Sequence, residues 1–125
     1  MQKVLKALEG GKMRVQSIEG IKDKKVSFLL PNGEINEQEF ETMEKKFKNL
    51  IETGDFNIII DLSRVSHMNY KVVGWLIEYQ KKLKELGGDI KLVNVSPYLY
   101  DIFRLYGFYP FEIYPSKRAA LKSFM

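Results

Sequence analysis

A chain of 125 residues with a formal net charge of +4, no cysteine and one histidine is of single-domain length, large enough for a core but not for a second domain. The missing cysteines exclude disulfides, thiolate metal ligands and a cysteine nucleophile, and the apolar runs are too short for a membrane span or a signal peptide, so a cytoplasmic protein is expected. Lys and Arg are spread evenly, ten in residues 1–50 and ten in 51–125, against eight Asp and Glu in each part; no basic block marks a nucleic-acid surface, and the charge reads as solubility.

Residues 1–11 carry Val4, Leu5 and Leu8 before Gly10-Gly11 stops any regular element, and they read as a short helix or a loose N-terminal arm of one 1–125 domain. Met13 to Ile18 alternates apolar and polar residues, as a strand near a sheet edge does. Gly20 to Lys24 turns the chain. Lys25 to Leu30 is a second strand, ended by Pro31-Asn32-Gly33 or continued through a bulge at Gly33 to Ile35. The two strands predict an antiparallel ribbon.

From Asn36 the period changes to that of a helix. Phe40, Met43, Phe47, Leu50 and Ile51 share one face, with Glu41/Lys45 and Glu44/Lys48 as exposed i,i+4 pairs. Asn36 with Glu39 forms a capping arrangement, and Gly54 ends the helix. Ile58 to Ile60 is a β-branched run apolar on both faces, which predicts a central strand covered on two sides. Asp61, Ser63, Ser66 and Asn69 then carry the chain through a turn, Asn69 capping a second helix with Val72, Val73, Leu76, Tyr79, Leu83 and Leu86 inward. Its outer face has Glu78/Lys82 and Lys81/Glu85, and Gly74 suits a close backbone approach; Trp75 and Ile77 lie off the stripe, which implies either that one of them is exposed near the site or that the helix is buried more broadly.

Gly87-Gly88 closes that helix. A strand at Ile90, Leu92 and Val93 follows, then a helix from Tyr98 to Tyr106 stopped by Gly107, a short strand at Phe111-Glu112-Ile113, and a terminal helix capped by Ser116. The order β-β-α-β-α-β-α-β-α predicts an α/β fold: a small mixed twisted β-sheet with right-handed crossover helices.

Little in this pattern suggests catalysis. His67 is the sole histidine, but the glycine-flanked serine of a nucleophile elbow is absent, so it reads as structural or surface. One histidine and scattered carboxylates make no metal ligand set, and Glu37, Glu39, Glu41 and Glu44 read as a solvated helical face. The glycines lack a phosphate-loop pattern, so no cofactor is expected. The eight rings from Tyr98 to Tyr114 read as core plus surface tyrosines, some of them suited to a protein partner.

Four pieces then fall in order: Asp61-Leu62-Ser63-Arg64-Val65-Ser66-His67-Met68 before a helix with Gly74; Leu86-Gly87-Gly88 before a strand; Val95-Ser96-Pro97; and Leu105-Tyr106-Gly107-Phe108. Together they resemble the STAS domain family, in particular bacterial anti-sigma factor antagonists, over about Met13 to Phe124. The resemblance implies a STAS-like fold and a non-enzymatic regulatory module that binds a kinase-like anti-sigma factor. In such proteins the positions of Asn69 to Gly74 usually read Asp-Ser-Ser-Gly-Leu-Gly, with phosphorylation on the second serine. Here Lys71 stands at that serine's place, which implies loss of the usual switch, with Ser66, Ser63 and Tyr70 as nearby hydroxyls.

The expected partner surface is therefore Ser66, His67, Met68, Asn69, Tyr70 and Lys71 with Asn36, provided the sheet brings them together. The alternative is a small-ligand or nucleotide-sensing module holding an anion at the helix N-terminus near Asn69. Homodimerisation through an exposed strand or the aromatic C-terminal region is left open by the sequence.

Overall fold

The computed structural model describes the backbone of residues 2–8 and 13–19, and residues 25–105 and 111–124 in full. The expected turns at Gly10-Gly11 and Gly20 to Lys24, and the end of the third helix at Tyr106-Gly107, lie outside the described residues.

The strand Ile58 to Ile60 is the centre of the sheet because its β-branched residues can face two apolar layers at once. It forms β5 (Asn57–Asp61) within a six-stranded sheet. On one side lie β3 (Lys25–Leu29), β2 (Met13–Glu19) and, at the edge, β1 (Gln2–Leu8). On the other lie β7 (Asp89–Val93) and the edge strand β8 (Glu112–Tyr114). The β1, β2 and β3 strands pair antiparallel, while β3, β5, β7 and β8 pair parallel. Helices α1 (Glu37–Glu52), α2 (Tyr70–Glu85) and α3 (Pro97–Arg104) make the three parallel crossovers, and α4 (Lys117–Ser123) closes the chain.

Side chains along β5 alternate between two cores. Ile58 and Ile60 pack with Phe40, Met43, Phe47, Leu76 and Leu83 under α1 and α2. Ile59 faces Val26, Phe28, Val93 and Phe124 beside α4. Each fully buried large side chain contributes roughly 1.5–3 kcal/mol, so the period of two along one strand joins both layers into one fold.

Several expectations change. Residues 2–8 form strand β1, neither a short helix nor a loose arm, because β2 offers them an antiparallel partner; β2 thereby moves inside the sheet edge. The stretch expected to be a turn from Asp61 to Asn69 contains strand β6 (Val65–Met68), paired parallel with β4 (Gly33–Ile35) in a separate two-stranded sheet. Short parallel pairing between distant segments leaves no local periodicity to read. Leu86, expected inward, is exposed, while Ile77 is buried and Trp75 packs 5.5 Å from Phe40, so of the two readings of these residues the broader burial of α2 holds. None of the four expected i,i+4 pairs on α1 and α2 is among the ion pairs of the described residues; exposed pairs contribute little, and side-chain entropy opposes holding them.

Two glycines after α2 fix its exit. Gly87 has φ of +93°, and a Cβ on Gly88 would overlap the Phe56 carbonyl oxygen, which accepts the Asp89 N–H at 3.0 Å.

Candidate functional site

The residues of interest gather where β4 and β6 run side by side. Ile35 and Met68 are register partners, and each is followed by an asparagine that starts a helix. The Asn69 N–H donates to the Ile35 carbonyl at 3.0 Å, so the start of α1 and the start of α2 are tied by backbone. The short β4–β6 sheet therefore brings Asn36 together with Ser66 to Lys71.

At α1, the Asn36 side chain accepts the N–H groups of Gln38 and Glu39 at 3.0 and 3.2 Å, and Glu39 accepts the Asn36 N–H at 3.4 Å. This is the reciprocal capping box expected from Asn36 and Glu39. At α2, the Asn69 side chain accepts the Lys71 N–H at 2.8 Å. Ahead of it, Asp61 accepts the Ser63 N–H at 2.9 Å and the Asn94 side-chain amide at 3.2 Å, holding the chain as it leaves β5.

Ser66, Tyr70 and Lys71 are exposed, Tyr70 by 49%, and Lys71 has no ion-pair partner among the described residues. Asn36 and Ser63 are exposed as well. Met68 is not part of this surface: its side chain is fully buried in the core beneath α2, because β6 turns Val65 and Met68 inward. His67 is half-buried, and its Nδ1 lies 2.6 Å from the Tyr98 hydroxyl, a hydrogen bond whose donor is set by the imidazole tautomer. That bond ties β6 to α3 and extends the surface to Tyr98, itself 53% exposed. The sequence held no sign of this pair, since 31 residues separate the two rings; the only cue was an aromatic residue just after the Ser96-Pro97 helix start.

Of the aromatic residues near the C-terminus, Phe103 and Phe111 pack together with ring centroids 5.8 Å apart. Tyr98 and Tyr100 stay at the surface. Tyr106, Phe108 and Tyr109 lie outside the described residues. Among the described residues no cluster of His, Asp or Glu is placed to hold a metal, and no helix is long and apolar enough to cross a membrane.

The comparisons agree with this architecture. The STAS domain model matches residues 12–120. BtrV of Bordetella bronchiseptica, described as a candidate anti-sigma factor antagonist, is 23% identical over 93 residues, 74% of this chain and 80% of that one. The anti-sigma factor antagonist SpoIIAA in its unphosphorylated form superposes with a TM-score of 0.67 at 21% identity, covering 88% of this chain and 96% of that one. An anti-sigma factor antagonist from Mycobacterium paratuberculosis gives 0.71 at 22%, covering 92% and 96%. The chain belongs to the STAS domain family, and is a non-enzymatic regulatory module of the protein-binding kind.

Proposed function

We propose that this protein is an anti-sigma factor antagonist that binds a kinase-like anti-sigma factor through the paired helix starts, without the usual serine switch, in the cytoplasm. The observation that carries this reading is the β4–β6 pairing, which sets Asn36 beside Asn69 and leaves Ser66, Tyr70 and Lys71 exposed around them. Tyr70 supplies buried contact area on binding, Asn69 holds the backbone, and Lys71 selects an acidic complement. His67 acts through Tyr98, keeping α3 against the same surface.

At the start of α2 a phosphate would add about −1.5 to −2 charge and rewrite such an interface. Lysine at position 71 carries no acceptor hydroxyl and has the opposite charge, so binding here is not released by phosphorylation at that place. Ser66, Ser63 and Tyr70 are the remaining hydroxyls within reach of a partner kinase.

Affinity capture from native cell extract tests the reading, comparing wild type with Lys71→Glu. Capture of a kinase-like anti-sigma factor by wild type, reduced in the variant, is expected. Equal capture by both removes Lys71 from the interface, and no anti-sigma factor with folded bait removes the reading. Phosphopeptide mass spectrometry after incubation with extract and ATP reads whether Ser66, Ser63 or Tyr70 replaces the missing serine. The alternative of an anionic ligand at Asn69 is less well supported, because the cap already accepts the Lys71 N–H and the neighbouring groove between α1 and α2 is rimmed by glutamates.

A further inference from the structure

A groove of about 600 Å³ runs between α1 and α2. Its floor is aromatic: Trp75 lies 5.5 Å and Tyr79 6.3 Å from the Phe40 ring, centroid to centroid. Its rim is carboxylate, with Glu37, Glu41 and Glu44 from α1 and Glu78 from α2. On α1 these residues are three and four apart, so like charges are neighbours on one helix face and repel one another. Among the described residues no Lys or Arg forms an ion pair with any of the four.

One rim member is held in place. The Tyr79 hydroxyl donates to Glu44 Oε2 at 2.6 Å, and burial together with that carboxylate pushes the phenol's pKa far up, so it remains a neutral donor. The groove thus combines ring faces, which attract cations through their quadrupoles, with carboxylates that form no ion pair among the described residues. The chain as a whole is positive by four charges, so a groove lined by four glutamates departs in charge from the molecule's average.

We propose that this groove is a second docking site, which seats lysine or arginine side chains carried by a basic segment of a protein partner. Charge complementarity names the occupant: a cation relieves the repulsion along α1, and its aliphatic stem lies on Trp75 and Tyr79. The volume is that of a pocket for a ligand larger than one ammonium group, and the four carboxylates come from two helices, so more than one basic side chain is accommodated. This site does not depend on the reading of the Ser66 to Lys71 surface.

Trp75 is the chain's only tryptophan, so the groove carries its own reporter. The full chain is titrated with an octa-arginine peptide while Trp75 emission is followed, and circular dichroism melts confirm that each variant is folded. A saturable change is expected in wild type, with affinity falling about fivefold or more in Glu41→Gln/Glu78→Gln. Glu85→Gln, an exposed carboxylate on α2 outside the groove, should stay within about twofold of wild type. No saturable change, or equal affinity in the double variant, overturns the proposal. A matching response to tetramethylammonium chloride at equal charge concentration overturns it too, and assigns the groove to a free small cation. Because the titration uses a peptide and no anti-sigma factor, failure here is distinct from failure of the anti-sigma factor reading.

Discussion

The two helix starts that meet at the β4–β6 sheet are built differently. At α1, Asn36 accepts two backbone N–H groups, Glu39 returns the bond, and Glu37 and Glu39 place negative charge where the helix dipole favours it. At α2, Asn69 accepts one N–H, the first turn holds no acid, and Lys71 puts a cation against the dipole. The α1 start is satisfied within itself, whereas the α2 start is locally unfavourable and exposed. A helix end left with opposed charge at the surface is better explained by what it contacts than by what it stabilises, and that contrast supports the proposed partner surface around the α2 start.

The largest effect that sharpens the contrast is beneath the α2 start. Met68→Ala removes a fully buried side chain and should destabilise the domain by about 2–5 kcal/mol, seen as a lower midpoint in urea unfolding. Two residues on, Tyr70→Ala should leave that midpoint nearly unchanged and lower partner affinity. Equal losses for both would mean that Tyr70 is structural.

The caps come next. Asn36→Ala removes the two bonds that its side chain accepts, leaving the backbone N–H of residue 36 to Glu39, and should cost about 1–2 kcal/mol, and Asn69→Ala, with one bond to lose, about 0.5–1. A reversed order in thermal or urea melts would break the comparison. Smaller again is Lys71→Glu, which turns an opposed charge into a favoured one and should raise stability by about 0.5 kcal/mol while weakening partner binding. A variant that loses stability would show that Lys71 is held by contacts within the fold.

The smallest effect lies at the opposite end of α2. Burial raises the Asp89 pKa from 3.8, against the pull of Lys84 and the Ile90 N–H. The unfolded chain therefore ionises first as pH rises, and stability falls between 3.8 and the raised folded value. Asp89→Asn does not titrate, so its melting temperature relative to wild type should be more favourable at ~pH 7 than at ~pH 3. A difference that is flat with pH would mean that Asp89 gains nothing by staying protonated.

These sites divide by how far apart in the chain their causes lie. The capping of α1 and α2, the glycine exit after α2 and the two-faced strand β5 are local: each depends on residues within one turn or one strand, so hydrogen-bond chemistry and periodicity announce them. The β1 strand, the β4–β6 pair, the burial of Met68 and Ile77, the His67–Tyr98 bond and the aromatic groove under Glu41 and Glu78 all need a partner from elsewhere in the chain. Lys91 is a further case: it is buried against α4, its ammonium bonded to Ser123 at 2.8 Å, paired with Glu112 at 3.2 Å and lying 4.2 Å from the centre of the Phe124 ring.

The sequence by itself determined which segments become the helices and central strands, and where the helices begin. The tertiary structure alone decided that the two helix starts touch, which of the loop residues face outward, and that α1 and α2 enclose an acidic groove. The physical reason is that caps and periodicity arise between near neighbours in the chain, whereas a surface is made by strand pairing and helix packing that join segments dozens of residues apart.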